Sequence, residues 1–236
     1  PIDGGNIEGE GTVRVVQGGE TSFENGTLAG LGGPVSTLEE FIPLVLPLEG
    51  RLSGTVELSG TMDAMRVISR IDLVEPGLGP TSGEIDGVFH LRGPLGVTGL
   101  TARLIPLDLG LVNRFAEGLL LDGSAIIDVQ VDGRLDSGMR VVAVAVDRDP
   151  PSEPSNVYLQ GLVTEVEGEI RVSFDAELTP LSITGVLSEE SPLARFGPVR
   201  GTAHAEGSLQ DLQLQTDLTS EEGRLTLESR FDARSP

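Results

Sequence analysis

The sequence predicts a mainly β protein: an elongated antiparallel sheet of repeated strands, curled into a half-open trough, with two or three short helices. Three observations carry this expectation. Apolar and polar residues alternate with a period of two through many short segments. Glycine-bounded segments recur at fixed spacing, which marks a stacked, quasi-linear array. The turns between segments are short and rich in Gly, Asp and Pro.

Taken in order, residues 11–16 read as a strand, Gly18-Gly19 as a turn and residues 20–25 as a second strand. Asn25-Gly26 is a hairpin signal, and Gly30 to Pro34 breaks the pattern. Ser36 caps a short helix that Pro43 stops, and Glu39 completes a capping box. Asp108 plays the same part before residues 109–116, and Ser191-Pro192 before residues 193–196. Each helix carries an apolar pair at helical spacing (Leu38 with Phe41, Leu111 with Phe115, Leu193 with Phe196) that would plug onto a sheet. Elsewhere the period is two. Met65, Val67, Ile71 and Leu73 alternate with Arg66, Arg70 and Asp72. Ile170, Val172, Phe174, Ala176 and Leu178 alternate with Arg171, Ser173, Asp175, Glu177 and Thr179. Leu212 and Leu214 alternate with Gln213 and Gln215, and Leu225, Leu227 and Phe231 with Thr226, Glu228 and Arg230. Such strands have one apolar and one solvated face, which favours antiparallel pairing. About fourteen of them, at ~4.8 Å each, would make a sheet on the order of 65 Å long. The polar run from Asp147 to Asn156 reads as a surface loop.

The marker glycines Gly60, Gly133 and Gly207 set a super-repeat: residues 36–107, 108–187 and 188–236, preceded by partial strands in 1–35. Residues 1–236 are thus expected to form one continuous repeat segment. The chain opens on Pro1 with no signal peptide, so it is expected to be an excised part of a longer protein.

Composition narrows the function classes. A formal charge of −21 excludes a nucleic-acid binder, which needs basic patches. The absence of cysteine removes disulfides and thiolate metal sites. No segment reaches the ~18 apolar residues of a membrane helix. The search for chemistry is mostly negative. His90 and His204 fall in the polar register of their strands, Asp122, Asp128, Asp132 and Asp136 are spread along one strand pair, and no hydrolase, metalloprotease or phosphate-loop motif occurs. The expectation is a protein that is not an enzyme, with no catalytic residue, metal site or cofactor. Aromatics make up only 3% of the chain, which disfavours a sugar-active enzyme.

The informative feature is therefore the aliphatic face. Roughly thirty inward side chains would present well over ~1,000 Å² of apolar surface, more than soluble proteins leave in water. The sheet must fold onto a second sheet, close into a barrel, or curl into a trough that holds apolar guests.

The phrase Leu38 to Pro43 followed by Leu48 to Thr61, with its returns at Gly133 and Gly207, resembles the AsmA-like/TamB family of bacterial envelope proteins. The resemblance covers most of residues 36–232. Gly60-Thr61 matches the family's Gly-Thr element, Gly207-Ser208 nearly does, and Gly133-Arg134 departs from it. The resemblance implies a β-taco structure in the periplasm of a diderm bacterium, anchored in the inner membrane by sequence outside this segment. It also implies a groove that carries phospholipid acyl chains towards the outer membrane, neighbouring segments of the same chain stacked on the sheet ends, and an outer-membrane barrel assembly protein as partner. The groove-lining residues it implies are Val56, Leu58, Met65, Val67, Ile71, Leu73, Val129, Val131, Val141, Ile170, Val172, Phe174, Leu212, Leu214, Leu225 and Leu227. The competing expectation is a structural or adhesive β-repeat protein with a closed, dry core and no guest.

Overall fold

A computed structural model describes residues 6–15, 21–36, 48–114, 121–147, 154–182, 197–208 and 210–231. It contains thirteen strands: β1 (Asn6–Val15), β2 (Thr21–Pro34), β3 (Arg51–Thr61), β4 (Ala64–Val74), β5 (Thr81–His90), β6 (Gly96–Asp108), β7 (Ser124–Arg134), β8 (Gly138–Asp147), β9 (Ser155–Val166), β10 (Glu169–Ser182), β11 (Pro198–Ser208), β12 (Asp211–Ser220) and β13 (Gly223–Phe231). They form one antiparallel sheet in strict sequence order, and β1 and β13 are its two edges, so the sheet is not a closed barrel. The only described α-helix is α1 (Gly110–Asn113). The helices expected at 36–43 and 193–196 fall largely or wholly outside the described residues.

Apart from α1 against β6, the substantial contacts of every element are with its neighbours in the sheet. No described element forms a second layer. The accessible surface reflects this: 14358 Å², against about 10,100 Å² for a compact monomer of 24.7 kDa.

The connections alternate between two rims. One rim carries tight turns, such as Met62-Asp63 and Glu167-Gly168. The other carries the longer links 35–50, 75–80, 109–123, 148–154 and 183–197, and ends with the two-residue turn Glu221-Glu222. Asp147 pairs with Ser155 directly across the 148–154 link, so the sheet continues through the polar run without a break.

Two local expectations are corrected. Asn25-Gly26 makes no hairpin; β2 runs through it to Pro34. Asn25 instead takes a positive φ of 51°, where the register of β1 with β2 and of β2 with β3 shifts. Strand neighbours on both sides override the local turn preference, and the dipeptide supplies a bulge. Gly30 to Pro34 likewise does not end the strand; a second register shift between Gly30 and Gly33 absorbs it.

A candidate apolar groove

Residues directly opposite each other in an antiparallel pair share a face. The register therefore carries a face assignment across the sheet. Near the tight-turn rim one row runs Gly60, Met65, Phe89, Val97, Gly133, Met139, Val163, Val172, Gly207, Leu212. A row through the strand centres runs Val56, Ser69, Ile85, Ala102, Val129, Ala143, Leu159, Ala176, Ala203, Thr216, Leu227. Between them Leu58 meets Val67, Val131 meets Val141, and Phe174, Ala205 and Leu214 line up. Towards the other rim lie Ile71, Leu73 and Leu225, opposite Gly83, Thr81 and Leu218. Ile170 lies two residues from Val172 and shares its face.

All sixteen expected groove residues thus lie on one face, which is aliphatic from edge to edge. Sequence reading missed Phe89, Val97, Leu159 and Val163 on the same face, whereas alternation alone places Leu178 there. Counting opposite partners outward from the marker glycines would have found them. Large side chains on this face fit over small ones: a Cβ at Gly161 would sit 2.4 Å from Cδ1 of Phe174, so the ring occupies the space that a side chain would take.

Crowding on this face is greatest in the middle of the sheet. Met65, Val97, Met139 and Leu178 are each at most 8% exposed. On the opposite face Ile68, Val144 and Leu162 are 39–49% exposed. Side chains of similar size are therefore more enclosed on the apolar face, as on the inside of a curled sheet. At the two ends the apolar face opens again, with Leu28 42%, Leu225 36% and Leu227 45% exposed.

The outer face is charged and paired across strands. Arg66 meets Asp86 at 2.8 Å, Arg70 meets Glu84 at 2.9 Å and Arg103 meets Asp128 at 3.3 Å. These are exposed pairs and contribute little to stability; their effect is to keep this face wet. His204 bonds Asp175 at 2.8 Å and lies 3.6 Å from Glu206. The hydrogen bond that its ring donates to the Asp175 carboxylate pushes its pKa up against a smaller opposing effect of burial. His90 sits beside the Asp63 carbonyl and 2.8 Å from the Thr98 hydroxyl. A shallow depression of about 630 Å³ on the polar face includes Tyr158, Asp175, His204, Asp217 and Glu228 in its lining. Among the described residues no group of three His, Asp or Glu side chains comes together as metal ligands.

The long-link rim is held by buried polar groups. Glu75, Asp147 and Ser155 are each 2% exposed and Ser182 1%. Asp108 accepts hydrogen bonds from the Gly79 N–H at 2.6 Å and the Gly110 N–H at 2.8 Å, and its own N–H donates to Thr81 Oγ1 at 3.1 Å. It braces the turn into α1 from one residue before the N-cap, which is Leu109 and not Asp108 as expected, and also ties that turn to the preceding link. The Ser182 N–H donates to Ser155 Oγ at 2.9 Å. Asn113 clasps both backbone groups of Leu121, and Leu109 and Ala125 form a small core there with Leu121, Ile127 and Leu181.

No protein-family model, curated protein or solved structure matches this chain.

Proposed function

We propose that the chain is a non-catalytic segment of a lipid conduit in the envelope of a diderm bacterium, and that its groove shelters phospholipid acyl chains on their way to the outer membrane. The observation that carries this reading is the aliphatic face itself: it continues across thirteen strands, and no second layer of described residues covers it. Each methylene laid on such a surface gains about 0.8 kcal/mol, so two acyl chains would be held firmly without any directional contact. Contact of that kind specifies no chain length and no stopping point, which suits passage better than storage. The charged outer face keeps the sheet soluble in the periplasm. In this reading, neighbouring segments of the full protein meet the sheet edges, the inner-membrane anchor lies outside this segment, and an outer-membrane barrel assembly protein receives the far end.

The test is photo-crosslinking in envelopes with a benzophenone residue at Val67 and Val172 on the apolar face, and at Ile68 and Ser173 one residue away on the polar face. Lipid adducts at the first pair and none at the second support the conduit. Absence of adducts at all four positions in folded protein overturns it in favour of a dry structural repeat. Val67→Asp, which places a carboxylate on the groove floor, is expected to block lipid passage.

A further inference from the structure

Hydrogen bonds between neighbouring strands fix their spacing but leave the angle between them free over about −10 to −35°. The curl of an open sheet is therefore set by contacts that skip strands. At the tight-turn rim the Leu91 N–H donates to the Met62 carbonyl and the Leu135 N–H to the Leu95 carbonyl, and each of these bonds joins one turn only to the next. The β6–β7 link reaches further, through its described parts 109–114 and 121–123.

The link is anchored in both directions. Backwards, Leu78 packs so closely on Gly110 that a Cβ there would lie 2.7 Å from Leu78 Cδ2. Arg114 stands 3.8 Å from Glu75, the residue that follows β4. Glu75 is 2% exposed and accepts the Glu49 N–H at 3.3 Å, so it is a fixed point. Forwards, Leu109 and Ala125 pack with Leu181 of β10. β7 and β10 are three strands apart, about 14 Å along a flat sheet, a gap that these side chains close only where the sheet curves. The ends of β8 and β9 between them, Asp147 and Ser155, are each 2% exposed. Asn113 bonds both backbone groups of Leu121, at 2.9 and 3.0 Å, so the two halves of the link move as one body.

We propose that this link is a strap that holds the trough to its curl between β4 and β10, about 29 Å of sheet, and that releasing either anchor opens the apolar face. The forward anchor is apolar and the backward one includes an ion pair, so each can be cut without touching the other. The strap sets the curl whatever the groove carries.

The experiment measures the binding of anilinonaphthalene sulfonate to the 236-residue chain, together with the radius of gyration from small-angle scattering and strand content from circular dichroism. Leu181→Ala cuts the forward anchor and should raise dye binding about threefold, with a larger radius and unchanged strand content. Arg114→Gln removes no apolar group and should act in the same direction, by about 1.5-fold. Leu178→Ala deletes an equal side chain from the same strand and face, 7% exposed and outside the cluster around Leu109. It reports a cavity alone and should stay within about 1.3-fold of wild type. The chain has no cysteine, so Leu109→Cys and Leu181→Cys in one chain can be joined by a short thiol-specific crosslinker. Dye binding should be high before joining and return to the wild-type level after it. Equal rises in Leu178→Ala and Leu181→Ala, wild-type binding in every variant, or a joined pair that binds dye as the open one does overturns the proposal.

Discussion

The two rims of the trough end the same strands with opposite means. At the tight-turn rim the chain reverses within a few residues; glycine backbone conformation sets the turns, and exposed side chains such as Arg134 on the Pro94 carbonyl link one turn to the next. Gly60, Gly133 and Gly207 occupy the same station in β3, β7 and β11, each opposite Met65, Met139 or Leu212 and each at positive φ. At the long-link rim the chain departs from the sheet and returns, and side chains reach across 26 to 29 residues of sequence to satisfy the exposed strand ends. A local reversal can be encoded by glycine alone. A distant one needs acceptors placed where backbone N–H groups would otherwise be buried unpaired.

The largest effect is expected at the glycine rim. A Cβ on Gly207 would lie 2.1 Å from the Asp211 carbonyl oxygen, at a φ of +127°. Gly207→Val should cost about 3 kcal/mol or more, through steric overlap added to backbone strain. Gly223 has a similar φ of +148° with nothing within reach of a Cβ, so Gly223→Ala should cost only about 1 kcal/mol. Urea denaturation followed by circular dichroism measures both; equal losses would mean that backbone angle alone, and not the close approach, sets the cost.

At the other rim Asp108→Ala leaves the Gly79 and Gly110 N–H groups without their acceptor and should cost about 2 kcal/mol. Asp108→Asn keeps one acceptor oxygen and should cost about half as much. Hydrogen exchange at those two amides, faster in Asp108→Ala than in Asp108→Asn, localises the change to this rim. Thr81→Val removes the acceptor for the Asp108 N–H and should cost about 1 kcal/mol.

The smallest effect belongs to neither rim. The pKa of His204 is raised by Asp175, so its charged form is favoured on folding. Its contribution is complete below the unfolded value of about 6.5 and fades as pH rises through the higher folded value. Wild type should therefore lose slightly more stability than His204→Gln between pH 6 and 8. The side chain is partly exposed and screened, so the difference should be small; identical pH profiles would assign the Asp175 contact no energetic weight.

The fold was legible where polarity and pleat agreed. Strands β10 and β12 alternate cleanly, and their faces follow from the residues alone; in β4 the pair Ile68-Ser69 inverts the pattern, and the residues on either side of it fix the face. β8 was harder to orient, because Val142, Val144 and Val146 on the outer face match Val141, Ala143 and Ala145 on the inner one. Strand β5 was obscured by Gly83 and Gly87, which hold inward stations without a side chain to mark them. Bulges in β6, between Val97 and Leu100 and between Leu104 and Leu107, shift the phase of the pattern within one strand. The groove residues were legible as a set because alternation fixes a face, whereas the crowding of that face depends on curvature, which no single strand encodes. The reach of Asp108 to Gly79 spans 29 residues and has no local signature; only its place just ahead of the following helical turn could be read.

The marker glycines recur every fourth strand, and four is an even number. Excision of one such block, β7 to β10, would present β11 to β6 in the direction that β7 now takes, with its apolar side unchanged. The trough would shorten by about 19 Å and keep its bore. A sheet assembled this way can change its length by gaining or losing copies of a four-strand module, with no redesign of its apolar face.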